Sequence, residues 1–152
     1  MDTAEIPVLP FVDAHTTVVA AGPDAVWRAL AEVVDRGFRS PRSVAVARLL
    51  GCADRVATGP RPPVPGSALP GFRVAGAVPG RELTLVGRHR FSAYALIFHL
   101  EAAGAGRTLL RAETRAVFPG PLGRLYRLLV IGTRGHVLAV RRLLAEVRRH
   151  AE

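Results

Sequence analysis

Two hydrophobic periods run along this chain, and each change of period predicts an element. In "AHTTVVA", residues 14–20, β-branched side chains predict a strand. Gly22-Pro23-Asp24 stops that strand and starts a helix. Proline suits a first helical turn, and the aspartate carboxylate is favourable at a helix N-terminus. Ala25, Val26, Ala29, Leu30 and Val33 then recur at helical spacing, with Trp27 and Arg28 beside the stripe. "SPRSVAVARLLG", residues 40–51, predicts a short second helix, with Ser40 as cap, Pro41 in the first turn and Gly51 just past the end. Val44 and Val46 are also compatible with a strand there. Residues 57–71 hold five prolines and three glycines and predict a long surface loop, either a lid or a plain connection.

From Phe72 the period is two. "FRVAGAV" and "RELTLVGRH" read as a hairpin closed by Pro79-Gly80, followed by strands in "FSAYALIFHLE" and "RTLLRAETRAVF". In the last strand Leu110, Ala112, Thr114, Ala116 and Phe118 share one face, and Arg111, Glu113 and Arg115 share the other, wet one. Tyr94, Leu96, Phe98 and Leu100 form the inner face of the strand before it. Pairing the two across "AAGAG" sets Phe98 opposite Leu110 and Glu101 opposite Arg107. After Pro119-Gly120-Pro121 one long helix is expected over about 120–149. Leu122, Leu125, Leu129, His136, Val140, Leu143 and Val147 form its stripe, while Arg127, Arg134, Arg141 and Arg148 repeat every seven residues on another face. Gly132 and Gly135 permit a kink within it.

This order predicts an α+β fold. A curved antiparallel sheet of about six or seven strands wraps the long C-terminal helix, with short helices after the first strand. The first helix plugs one end of the wrap, and Trp27 fills or lines that end. Residues 1–13 form an N-terminal arm and 14–150 a single domain.

Composition narrows the class. A chain of 152 residues, 49% hydrophobic, can bury a real core. One cysteine, Cys52, excludes an internal disulfide and a four-cysteine zinc site. "MDTAEIPVLP" has no basic region, so it is not a signal peptide, and Arg124, Arg127 and Arg134 interrupt the most apolar helical stretch, excluding a membrane span. A cytoplasmic protein is expected. The net charge is +9, and all 21 basic side chains are arginine. Such usage reflects either a GC-rich genome or an anionic partner. Scattered arginines without stacking aromatics predict no sequence-specific nucleic-acid binding.

"HTTVVAAGPDAVWRAL" resembles the N-terminal signature of the START-like (SRPBCC) superfamily: a valine-rich strand, a small-residue turn, then "VW" in a helix. "GRTLLRAETRAVFPGPLGRLYRLLVIGTRG" is similar to its last strand and grip helix. Several bacterial members carry "G-T-x-L-x-x-x-T-R" before "F-x-x-Y-W"; the matching positions here are Gly106 to Leu109, Thr114-Arg115 and Leu125-Tyr126-Arg127, with Arg127 where tryptophan would stand. The resemblance covers nearly the whole chain except 40–70. It implies the helix-grip fold and a cavity between sheet and terminal helix. It does not choose among lipid carriers, hormone receptors, polyketide cyclases and stress sensors.

The cavity is expected to be bounded by Trp27, Phe72, Arg90, Tyr94, Phe98, Leu110, Thr114, Leu125, Leu129 and His136. The small residues Ala112, Thr114, Ala116 and Gly132 would leave it room. Tyr94, Thr114 and His136 are its polar points, and Arg90 is placed to hold a carboxylate or carbonyl. The bland readings are a structural histidine, an arginine at a sheet end and a core tyrosine. His89 and His99 lie in adjacent strands without a third ligand, so no metal site is expected. No cofactor motif is present, and Glu82 and Glu113 do not pair as catalytic acids. The expected function is binding of a small hydrophobic ligand, a lipid, isoprenoid or polyketide. The alternatives are a polyketide aromatase/cyclase-like enzyme and an Arg-rich binder of anionic surfaces through "RRLLAEVRRH". A homodimer is left open.

Overall fold

The protein is described by a computed structural model covering residues 8–60 and 64–152. Of the arm expected over 1–13, residues 1–7 lie outside the described residues, as do 61–63 of the expected loop. β1 (Phe11–Val19) begins three residues before Ala14. Gly22 then precedes α1 (Pro23–Phe38), in which Pro23 takes the first turn and the Val26 amide donates to the Gly22 carbonyl.

The short second helix forms as expected: α2 (Pro41–Leu50). The Ser40 hydroxyl accepts from the Ser43 amide at 3.2 Å, and Gly51 ends the helix in the left-handed region at φ 69°. β2 (Ala68–Leu69), β3 (Phe72–Val78), β4 (Glu82–His89), β5 (Ser92–Ala102) and β6 (Thr108–Val117) follow. They form one six-stranded antiparallel sheet in the order β1-β6-β5-β4-β3-β2, so chain neighbours pair and the N-terminal strand closes on β6.

The β5–β6 register differs from the expected one by two residues. Phe98 faces Ala112, Leu100 faces Leu110 and Glu101 faces Leu109, while Arg107 lies in the turn. The turn is centred on Ala105 because Gly104 and Gly106, on either side of it, both take positive φ, 107° and 66°. A two-residue shift keeps every side chain on its face, so the inner set Leu96, Phe98, Leu110 and Ala112 is buried as the alternation demands.

The core is a sandwich of the sheet with two helices. Val26, Leu30, Val33 and Val34 of α1 and Val140, Leu144 and Val147 of the last helix join Leu85, Phe98 and Leu110 in one buried cluster. α1 therefore packs beside the terminal helix along the sheet and does more than plug its end. The terminal segment is not one helix. It runs as α3 (Gly120–Arg127), a π-helical turn over Leu128–Gly132, and α4 (Gly135–Ala151). The break falls at Arg134, whose φ of 62° is the only positive value among the described non-glycine residues. Gly132 and Gly135 flank it, and Val130, Ile131 and Thr133 are β-branched, so local helix preference is weak where the direction changes.

The outer face of the sheet is less wet than its alternation suggests. Val86, Ala95 and Ile97 are buried there against Leu9 and Ala75. Glu113 is also buried on this face. Arg115 donates to it at 2.7 Å and Arg111 stands 3.1 Å away. Burial pushes the Glu113 carboxyl up, but the hydrogen bond and charge of Arg115, with the charge of Arg111, outweigh it and hold the group below the ordinary carboxylate value. A carboxyl lowered in the folded state stabilises above its unfolded pKa and loses that contribution as pH falls through the folded one. Glu113→Gln is therefore expected to cost about 1–2 kcal/mol at neutral pH. In urea titrations, the difference from wild type should fade once the pH drops below the ordinary value of 4.5. A difference independent of pH would rule out the ionic account.

Candidate ligand-binding cavity

α2 and α3 make no extended packing with any strand. They stand off the sheet as walls, and the space they enclose with α4 is a cavity of about 760 Å³. Its floor is the inner face of the sheet: Leu96 and Tyr94 of β5, Thr114 and Ala116 of β6, then Phe118. Phe38, Val46, Ala47 and Leu50 form one wall. Tyr126, Val130, Ile131, Val140 and Leu143 form the other. The lining side chains are mostly apolar, and the volume suits one small organic ligand.

At one end a polar group is built from three elements. His136 Nε2, in the first turn of α4, lies 3.0 Å from Thr114 Oγ1 and 3.3 Å from Asp13 Oδ1. The other Asp13 oxygen lies 3.3 Å from His15 Nε2. An irregularity in β1 between Phe11 and Asp13 sets Asp13 opposite Thr114. The Asp13 carboxylate then stands near the start of α4, where the helix dipole favours negative charge. All four side chains are half-buried or buried.

The opposite end is aromatic. Tyr94 packs edge-on to Phe72 at 5.3 Å, Phe72 stacks on Phe38 at 4.8 Å, and Tyr126 meets His89 edge-on at 4.7 Å. The Tyr94 hydroxyl donates to the Gly71 carbonyl and lies 3.9 Å from Cys52 Sγ. Burial holds Tyr94 well above the ordinary phenol range, raises the Cys52 thiol and lowers His89. At neutral pH these three side chains are uncharged. Cys52 is thus a buried thiol and not an activated nucleophile.

Of the expected cavity residues, Phe72, Tyr94, Thr114 and His136 line it. Phe98 and Leu110 are fully buried in the main core instead. Trp27 lines a separate cavity of about 200 Å³ with Leu30, Val74 and Leu83, because the first turns of α1 lie over β3 and β4. Leu125 and Leu129 point to solvent, since the break at Arg134 turns α3 out of line with α4. Gly132, expected to give the cavity room, is exposed for the same reason, while Ala112 is sealed in the core. Arg90 is exposed in the β4–β5 turn and packs on Gly51. Asp13 and His15 carry no expectation from the sequence, although "D-x-H-x-T" over Asp13, His15 and Thr17 places three polar side chains on one face of a strand.

Among the described residues no cluster of His, Cys, Asp and Glu could hold a metal ion, and no helix is long and apolar enough to cross a membrane. At the α4 C-terminus Arg148 pairs with Glu152 and Arg149 with Glu146. The "RRLLAEVRRH" end is therefore partly neutralised by its own carboxylates.

No family model and no curated protein matches the sequence. Solved structures do. A point mutant of norcoclaurine synthase from Thalictrum flavum, in complex with a transition-state analogue, superposes with a TM-score of 0.57 at 14% identity, over 95% of this chain and 99% of that one. The Zhui aromatase/cyclase from a Streptomyces species gives 0.53 at 17% identity, over 95% and 96%. The Mll3558 protein from Rhizobium loti gives 0.52 at 18% identity, over 91% and 94%. At these identities the likeness is one of fold: the chain has a helix-grip fold, a curved antiparallel sheet packed on its C-terminal helix.

Proposed function

We propose that the protein binds one small, largely apolar molecule in the cavity between β5–β6 and the helices α2, α3 and α4. The observation that carries this reading is the 760 Å³ volume, apolar on its walls and polar only at defined points. A close-packed domain has no such void, and an empty apolar space forfeits contacts that a ligand would supply. The polar points suit an elongated or polycyclic ligand with an oxygen function at one end. His136 would meet that oxygen, and the aromatic side chains at the other end would stack on the ligand body. The fold likeness supports the same class, since one structural neighbour is named as an aromatase/cyclase and another as a synthase.

Native mass spectrometry of the purified protein should show one bound small molecule, or one equivalent of an added apolar fluorescent probe. No uptake of any apolar probe would remove this reading.

A second reading, an enzyme acting on such a molecule, rests on the contact of Asp13 with His136 at the cavity wall. A histidine held by a carboxylate beside a bound ligand can serve as a general acid or base. His136→Gln separates the two. A carrier keeps the probe and has no conversion to lose, whereas an enzyme keeps the probe and loses turnover.

A further inference from the structure

The helix that forms one cavity wall is turned the unexpected way round. α3 packs inward through Gly123 and Tyr126. A Cβ at Gly123 would meet the Phe118 backbone at 2.6 Å, and the Tyr126 ring stacks on Phe91 at 5.6 Å. This leaves the leucine face outside. Leu122, Leu125, Leu128 and Leu129 are 65%, 53%, 66% and 59% exposed. They follow one another at helical spacing, so they form a single stripe. On the facing wall, Val46 and Leu49 of α2 are 47% and 77% exposed. Lining residues that remain exposed are Arg36 and Gly37 at the end of α1 with Arg42 and Val46 of α2 on one side, and Ala139 and Arg142 of α4 on the other, which places the cavity mouth between the α1–α2 corner and α4. Apolar residues exposed this densely mark an interaction surface.

Charge says what covers it. Residues 36–53 contain four arginines and no Asp or Glu, and residues 114–145 contain six arginines and no Asp or Glu. Among the described residues no ion pair engages Arg42, Arg124, Arg127, Arg134, Arg141 or Arg142. A second copy placed on this face would set arginine against arginine without a carboxylate to balance them. Nucleic acid would satisfy the arginines but gains nothing from aliphatic leucines. A negatively charged lipid surface satisfies both, because it offers hydrocarbon below an anionic headgroup layer.

We propose that the leucine face of α3 and the exposed end of α2 dock the protein on anionic membranes, with the cavity mouth turned toward the lipid. An apolar ligand then passes between bilayer and cavity without crossing water. The docking itself needs no cavity ligand.

Co-sedimentation of the full chain with vesicles of phosphatidylcholine alone, or of phosphatidylcholine mixed with phosphatidylglycerol, tests the proposal. Binding is expected to the mixed vesicles and to weaken with salt. Leu128→Asp should lower partitioning by roughly tenfold or more, from the lost burial of one leucine. Arg124→Glu should lower it by about tenfold. Both side chains lie outside the cavity, so probe uptake and the circular dichroism spectrum should be unchanged in both variants. This separates failure of docking from failure of the ligand reading. Equal binding to neutral vesicles, no binding, or binding untouched by both variants overturns the proposal. So does a stable dimer that Leu128→Asp dissociates, which assigns the face to a second copy. Retention on duplex DNA with no affinity for vesicles assigns it to nucleic acid and overturns it equally.

Discussion

Ala116→Trp is expected to abolish uptake of an apolar probe while leaving the protein folded. Ala116 sits on the cavity floor, opposite Tyr94 in β5 and next but one to Phe118 along the chain. It is 4% exposed, so an indole there cannot swing into solvent and must enter the cavity. The space is already empty, so the overpacking penalty should stay near the low end of its range, about 1 kcal/mol. A ligand that must displace the indole or shrink to fit should lose about 3 kcal/mol, or roughly a hundredfold in affinity. Gly132→Leu is the matched control. Gly132 is exposed beyond the wall, and a Cβ there would meet only the flexible end of Leu128, at 3.1 Å. Its probe affinity should equal that of wild type. Unchanged uptake in Ala116→Trp, measured by fluorescence titration, would mean that the probe binds elsewhere.

Gly87→Ala should be the most damaging single methyl in the sheet. A Cβ at Gly87 would run into the Gly71 carbonyl oxygen and the Tyr94 ring. The carbonyl is backbone and cannot rotate aside. Either β4 moves away from the segment before β3, or the Tyr94 hydroxyl loses its bond to Gly71. The expected cost is about 3 kcal/mol from overpacking, with about 1 kcal/mol more for the lost hydrogen bond. Urea denaturation would measure it. Tyr94→Phe isolates the second part and should cost about 1 kcal/mol alone. If Gly87→Ala retained wild-type stability, the close approach that holds the aromatic end of the cavity would not exist. Gly71 and Tyr94 both line the cavity, so Gly87→Ala should also weaken the probe.

Much of the architecture followed from local chemistry. Gly22-Pro23 turned β1 into α1, and Ser40 with Gly51 bounded α2. Strict alternation from Leu110 to Ala116 assigned the inner face of β6. Such signals are short-range: a cap, a proline or a period of two acts within one turn or one strand, so it can be read in order along the chain. The α+β helix-grip arrangement followed because three alternating strands need a cover and the chain offers few helices to provide it.

The candidate cavity was decided over longer distances. His136 stood on a helical stripe and could be singled out, but its partner Asp13 lies 123 residues away and meets it only because β1 pairs with β6. The expected Leu125 and Leu129 would have lined the cavity had residues 120–149 stayed one helix. One left-handed residue, Arg134, between two glycines was enough to reverse them to the surface. Trp27 has the same lesson: its helical phase was readable, but the strands under α1 decided which cavity it bordered. Periodicity states which side chains share a face. Which face meets the sheet, and which is left to line a cavity or to face outward, depends on how the elements pack, and packing is a property of all of them together.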